Sequence, residues 1–239
     1  MNLIRISLLL LVVTAFSCAD KESEEPWGLT GTVEGRIYQY SEFGAIEPDQ
    51  SNAVVTFQSE SSNKSASTDA TGKFVATDIP MGTYNLLIEK PGFASRTLKS
   101  FRLIGGENPV YTSTSLVRPS TSKVTDLSST VAQNVLNFTG KVIHNNTQPY
   151  VAIAVFLSTS PDVSPTKYAQ LNSFSFGVSS GSTFNGQIYL DGRRFPSGSR
   201  LYMVAYGATN FSSYDFTTEM FVPDGVGSVP SNVFSILVP

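Results

Sequence analysis

From Leu29 onward, apolar and polar positions alternate with a period of two, and Gly, Pro, Asn and Asp interrupt the alternation at short intervals. That pattern predicts β-strands joined by tight turns, because successive side chains of a strand point to opposite faces. Strands are expected at 30–40 and 53–58, from the Asp69-Ala70-Thr71-Gly72 turn into Phe74 and Val75, and at 84–89, 96–103 and 110–117. Beyond the polar stretch Arg118-Pro119-Ser120-Thr121-Ser122-Lys123 come further strands at 136–143, 152–157, 174–178, 184–190, 201–206 and 233–238. The run 152–157 is apolar throughout and reads as a strand buried on both faces. Neither half carries a stripe of helical period. The chain is therefore expected to be all-β, with two β-sandwich domains in tandem at 29–118 and 124–239 and a short linker at 119–123. Each half is long enough to bury one core.

The first 28 residues break this pattern. Arg5 precedes a short apolar run from Ile6 to Phe16. A stable membrane span needs about 20 apolar residues, so the run has the length of a signal-peptide core instead, and 1–17 is expected to be a signal peptide. Ala15-Phe16-Ser17-Cys18 follows and resembles a bacterial lipobox, with Phe16 bulkier than the residue usual at its position. Cys18 is the only Cys in the chain and sits at the cleavage position, so the resemblance implies that it carries a palmitate-type acyl anchor holding the protein to a membrane. Residues 19–26 hold four acidic side chains among eight and no apolar period, which predicts a solvated tether across 18–28. Acids directly after the lipidated Cys also resemble the signal that sends some Gram-negative lipoproteins to the outer face of the outer membrane. A plain tether is the alternative.

Composition narrows the function classes. Ser and Thr fill roughly a quarter of the chain and charged residues only 15%, which suits an extracellular β protein. The net charge of −3 comes without a Lys/Arg stripe, so nucleic acid is not an expected partner. With one His and one Cys, no metal site, internal disulfide or Cys–His protease is expected. No cofactor is implied. His144 lies in a polar turn and reads as a solvated residue, and Asp191-Gly192-Arg193-Arg194 reads as a solvated turn. Asp49, Asp69 and Asp162 fall in loops without the density of acids that a Ca²⁺ loop shows. No Gly-x-Ser-x-Gly elbow precedes a helix. A carboxylate pair for glycoside cleavage is a matter of spatial separation, on which the sequence is silent.

In the first half, Gly31-x-Val33-x-Gly35, Thr68-Asp69-x-x-Gly72-x-Phe74, Ile79-Pro80-x-Gly82-x-Tyr84-x-Leu86 and Lys90-Pro91-Gly92-Phe93 together resemble the carboxypeptidase regulatory-like domain. The resemblance implies a transthyretin-like (prealbumin-like) seven-stranded sandwich, non-catalytic, used for stability, docking or surface display. Gly82-Thr83-Tyr84-Asn85-Leu86-x-x-Glu89 also resembles the last strand of collagen-binding-type adhesin repeats, which close a Lys–Asn isopeptide bond. That bond needs a Lys on the first strand, where this chain has Arg36, so Glu89 reads as a surface charge. In the second half, 155–162, 181–184 and 195–206 resemble an immunoglobulin-like module of the fibronectin type III kind, with Leu201 where the corner Tyr would stand and Tyr202 one place later.

Two aromatic clusters are the best functional hint. Tyr38, Tyr40 and Phe43 crowd one segment, and Phe211, Tyr214 and Phe216 another. Exposed rings of this kind stack on sugars or anchor a partner protein, while alternate members on a strand could equally belong to the core. The expectation is a non-enzymatic lipoprotein on the cell exterior, lipid-anchored to the outer membrane through Cys18. Its role would be to bind polysaccharide, or dock on transporter proteins, as an accessory to outer-membrane glycan uptake. The alternative is a structural or adhesive envelope component that binds another protein.

Overall fold

A computed structural model describes residues 29–60, 63–104, 110–145, 150–215 and 220–239, with main chain only at 110, 214, 215 and 220. The signal-peptide, Cys18 and acidic-tether expectations lie outside these residues, as does Phe216. The described chain is all β-strand, in two sandwiches.

The first sandwich uses seven strands: β1 (Thr30–Tyr40), β2 (Val54–Gln58), β3 (Asn63–Ser67), β4 (Lys73–Pro80), β5 (Gly82–Glu89), β6 (Arg96–Leu103) and β7 (Val110–Val117). One sheet runs β4-β1-β7 and the other β3-β2-β5-β6. β1 pairs antiparallel with β4 but parallel with β7, so the chain must cross the whole domain before its last strand closes the sheet. Inward positions alternate as the sequence predicts. Val33, Ile37, Val55, Phe57, Phe74, Ile79, Tyr84, Leu86 and Ile88 form the core. Gly35 stands opposite Phe74, and a side chain at 35 would strike both the Phe74 ring and the Thr112 carbonyl. The Tyr84 hydroxyl donates to the Pro80 carbonyl at 2.6 Å and ties β5 back to the end of β4. Glu89 is exposed, in keeping with a surface charge.

The second sandwich begins at β8 (Lys123–Ala132) and continues through β9 (Val135–Ile143), β10 (Val151–Ser158), β11 (Gln170–Phe176), β12 (Thr183–Tyr189) and β13 (Arg200–Ala208). A hairpin, β14 (Ser212–Asp215) with β15 (Met220–Pro223), follows, then β16 (Val226–Pro230) and β17 (Phe234–Leu237). One sheet is β12-β9-β8; the other is β11-β10-β13, with β16 and β17 both on the far edge of β13. Every residue of β10 is buried. Its Val151, Ile153, Val155 and Leu157 enter the inter-sheet core with Phe138, Phe184 and Leu201. Its Ala152, Ala154 and Phe156 face outward under a second apolar layer, with Val163, Tyr168 and Val222. Leu201 takes the core position, and Tyr202 packs on the outer layer.

One sequence expectation needs correction. His144 is not solvated: it is 8% exposed, its amide donates to Ser180 Oγ at 3.0 Å, and its ring Nε2 lies 3.2 Å from the Val178 carbonyl. A polar flank hid this, because the partners come from a loop more than thirty residues away. The segment expected as a short linker, 119–123, packs closely against the second sandwich. Ser120 is 6% and Ser122 3% exposed, and β8 has already begun at Lys123. Gly207 and Gly227 make room for it: side chains there would collide with Ser122 O and Ser120 O respectively. Glycine in a strand often marks such a close backbone approach.

Candidate functional site

The junction of the two sandwiches is built around the end of β1. Arg118, which follows β7, donates its amide to the Tyr40 carbonyl at 3.0 Å and its Nε to Glu47 Oε1 at 2.6 Å. Its guanidinium lies 4.6 Å over the Phe93 ring. This one side chain therefore joins the turn after β1, the turn after β5 and the crossing segment. Two residues on, Thr121 donates its amide and its hydroxyl to the two carboxylate oxygens of Glu42, at 2.6 and 2.7 Å. From the second sandwich, Asp224 meets Arg96 of β6 at 3.3 Å. Asp224 also accepts from Ser213 across the β14–β15 hairpin.

The two aromatic clusters meet here. Tyr40 and Phe211 pack with ring centroids 4.9 Å apart. Phe211 also lies against Gly44 in the turn that presents Phe43. Tyr38 and Tyr40 occupy the outer face of the β4-β1-β7 sheet, half-buried, because Ile37 and Gln39 take the inward positions. The Arg36 guanidinium sits 5.1 Å over the Tyr38 ring. Phe43 is 44% exposed. Tyr214 contributes main chain to β14, opposite Phe221; its side chain lies outside the described residues, as does all of Phe216.

Beside this contact opens a cleft of about 330 Å³ lined by Glu42, Phe43, Ser120, Ser122, Tyr150 and Asn210, floored by Val151, Ala152 and Ala208. Phe43 and Tyr150, 44% and 60% exposed, supply aromatic faces. Glu42 supplies a hydrogen-bond acceptor. Asn210 Oδ1 accepts from Ser175 at 2.7 Å, which leaves the amide nitrogen as its donor. Two other hollows, about 610 and 640 Å³, lie over the β8-β9-β12 sheet and beside the β4–β5 turn. Their aromatic residues, Phe138 and Tyr84, are each 3% exposed and offer no ring face. Of the residues that line the cleft, the sequence singles out Phe43 as a candidate and not Tyr150, Glu42, Ser120, Ser122 or Asn210. Tyr150 stands alone between a polar turn and a strand, and the others acquire meaning only once the crossing segment is folded down.

The isolated acids lie apart from the cleft. Asp49 and Asp69 are held below the ordinary carboxylate range, the first chiefly by the Ser51 amide and the second chiefly by the Thr71 hydroxyl. Asp162 is lowered to about 2, chiefly by the Lys167 ammonium hydrogen bond at 2.7 Å and then by the Ser160 hydroxyl. Among the described residues no group of three or more His, Cys, Asp or Glu converges. Asp191 and Arg194 pair across their exposed turn at 3.4 Å.

Several solved structures are similar to this chain. A Bacteroides uniformis protein provisionally described as carbohydrate-binding is 14% identical, covers 87% of this chain and 99% of its own, and has a TM-score of 0.36. A DUF3823 family protein from Bacteroides ovatus is 10% identical over 88% of this chain and 100% of its own, with a TM-score of 0.37. The major pilin subunit of Bacillus cereus is 11% identical over 87% of this chain and 69% of its own, with a TM-score of 0.34. No curated protein matches the chain. Residues 32–115, which hold β1 to β7 but for the ends of β1 and β7, match the family model of the carboxypeptidase regulatory-like domain.

Proposed function

We propose that this chain is a non-enzymatic, lipid-anchored protein of the bacterial outer surface that binds glycan in the cleft between its two sandwiches, as an accessory to glycan uptake. The observation that carries the reading is the pair of exposed rings, Phe43 and Tyr150, set around the Glu42 and Asn210 polar groups in one cleft. Aromatic faces bind the apolar faces of sugar rings, and a few fixed polar groups orient the hydroxyls. Cys18 carries the anchor, and the acidic residues after it direct the protein to the cell exterior. The second sandwich is of the fibronectin III-like kind. Its first, second and fifth strands, β8, β9 and β12, share one sheet, and β10, β11, β13, β16 and β17 the other, the division that reading calls for.

The test is binding of the full chain, in detergent, to a panel of polysaccharides. Saturable binding that falls at least tenfold in Phe43→Ala and in Tyr150→Ala supports the reading. A blank panel with folded protein would overturn it in favour of a protein-docking role. Cys18→Ser should abolish incorporation of labelled palmitate and release the protein from membranes. External protease should cleave the wild type on intact cells.

A further inference from the structure

The charges around the cleft bear on which glycan enters it. Among the described residues that line it, Glu42 is the only carboxylate, and none is Lys, Arg or His. Three cations near the junction are each committed elsewhere, Arg118 to Glu47 and the Phe93 ring, Lys90 to Gln39 and the same ring, and Arg96 to Asp224. Thr121 fixes both Glu42 oxygens, so the carboxylate cannot swing away from an approaching anion without breaking two hydrogen bonds of 2.6 and 2.7 Å. Sugar hydroxyls can donate to lone pairs that remain on those oxygens and accept from the Asn210 amide, as vicinal hydroxyls of a neutral hexose do. A carboxylate or sulfate on the sugar would meet like charge with no counter-cation, in a site walled by Val151, Ala152 and Ala208 that strengthens the repulsion.

We infer that the junction cleft selects uncharged sugars and rejects anionic ones, with Glu42 as the residue that sets the selection. The inference rests on the glycan reading above and names the substrate class of that same site. The cleft is at the lower end of the roughly 300–1,000 Å³ typical of small-molecule sites, so it takes a short stretch of glycan rather than a long chain lying along a groove.

The experiment compares immobilised neutral oligosaccharides with the same oligosaccharides oxidised at C6 to uronates, using the full chain and Glu42→Gln. The expected result is binding of the neutral set and at least tenfold weaker binding of the uronate set at low salt. The gap should narrow as salt is added, and in Glu42→Gln it should shrink to threefold or less. Glutamine keeps the shape and one acceptor, so folded variant protein is expected, and circular dichroism checks it. Uronate binding equal to or tighter than neutral binding would overturn the selectivity while leaving the glycan reading in place. A gap that persists unchanged in Glu42→Gln would overturn the role of Glu42. Failure of both sets to bind would overturn the glycan reading itself, and the selectivity with it.

Discussion

Gly207→Ala is the sharpest single test of how the two sandwiches are joined. A Cβ at 207 would overlap the Ser122 carbonyl oxygen and would lie 2.8 Å from the Ser122 carbonyl carbon and 2.9 Å from Ser120 Oγ. The first two are main-chain atoms of the crossing segment, so no rotamer change relieves the clash. Gly207 is itself paired with Ile153 in the β10–β13 ladder, one place from its end, which resists retreat of the strand. The segment 120–122 must lift, which exposes two buried serines and strains both Thr121–Glu42 bonds. Overpacking of this kind costs about 1–3 kcal/mol. Hydrogen exchange with peptide resolution is the assay, because it reads the segment directly. Amides of 120–122 should exchange about tenfold or more faster in the variant, and the urea midpoint should fall. Gly192→Ala is the control: no atom lies within 4 Å of a Cβ there, and its effect should stay within about 0.5 kcal/mol. Unchanged protection at 120–122 in Gly207→Ala would refute the claim that the glycines seat the segment.

Four further outcomes are expected. Lys90→Met removes the 2.6 Å donor to Gln39 Oε1; Gln39 is fully buried, so an unsatisfied acceptor should cost about 1–3 kcal/mol in a urea titration. Phe211→Ala removes the ring packed on Tyr40 and should destabilise the protein by about 0.5–1.5 kcal/mol beyond the lost area, with faster exchange at the 41–45 turn. Asp162, lowered from 3.8 to about 2, should keep its ion pair with Lys167 above pH 4 and lose it only as pH falls through about 2. A carboxyl NMR titration reads this, and Lys167→Met should move the midpoint back up toward 3.8. Arg96→Gln breaks a pair whose side chains are 26% and 13% exposed; partly solvated ion pairs contribute little, about 0–1 kcal/mol, so glycan affinity should fall by less than about fivefold, measured by calorimetry.

Much of the fold was legible because most strands obey the period of two. β1, β6 and β7 start and end where the alternation does. The regulatory-like motif has a plain physical content: Gly35 leaves room for the Phe74 ring, and Tyr84 ties off the β4–β5 turn. The elements that escaped are those in which the period fails. β8 reads Lys-Val-Thr-Asp-Leu-Ser-Ser-Thr-Val-Ala, and a bulge between Thr125 and Ser128 puts its inward residues, Val124 and Leu127, three apart. β3 has only one residue that is not exposed, Ala66, so no apolar rhythm marks it. The β14–β15 hairpin owes its place to what it covers on the outer face of β10 and β13, information spread over 70 residues. The cleft was less legible still. Its polar members come from the turn after β1, the crossing segment and the end of β13, and nothing local in any of these marks a binding residue.

Part of what fixes the two sandwiches together also forms the cleft. Ser120 and Ser122 are seated on the glycines of the second sandwich and line the cleft; Glu42 belongs to the first sandwich, holds Thr121 and lines the cleft as well. Neither sandwich alone presents both Phe43 and Tyr150. A ligand bound there has affinity only for the joined arrangement, so by mass action it must stabilise the junction in proportion to RT ln(1 + [L]/Kd), about 2.7 kcal/mol at a hundredfold excess over Kd. The same linkage runs in reverse: whatever loosens the crossing segment lowers affinity without touching a lining side chain. On the proposed reading the regulatory-like sandwich contributes to a shared cleft. Its part is to hold the turn after β1, with Glu42 and Phe43 on it, in a fixed place against its neighbour, and Arg118 does this by satisfying Tyr40, Glu47 and Phe93 at once.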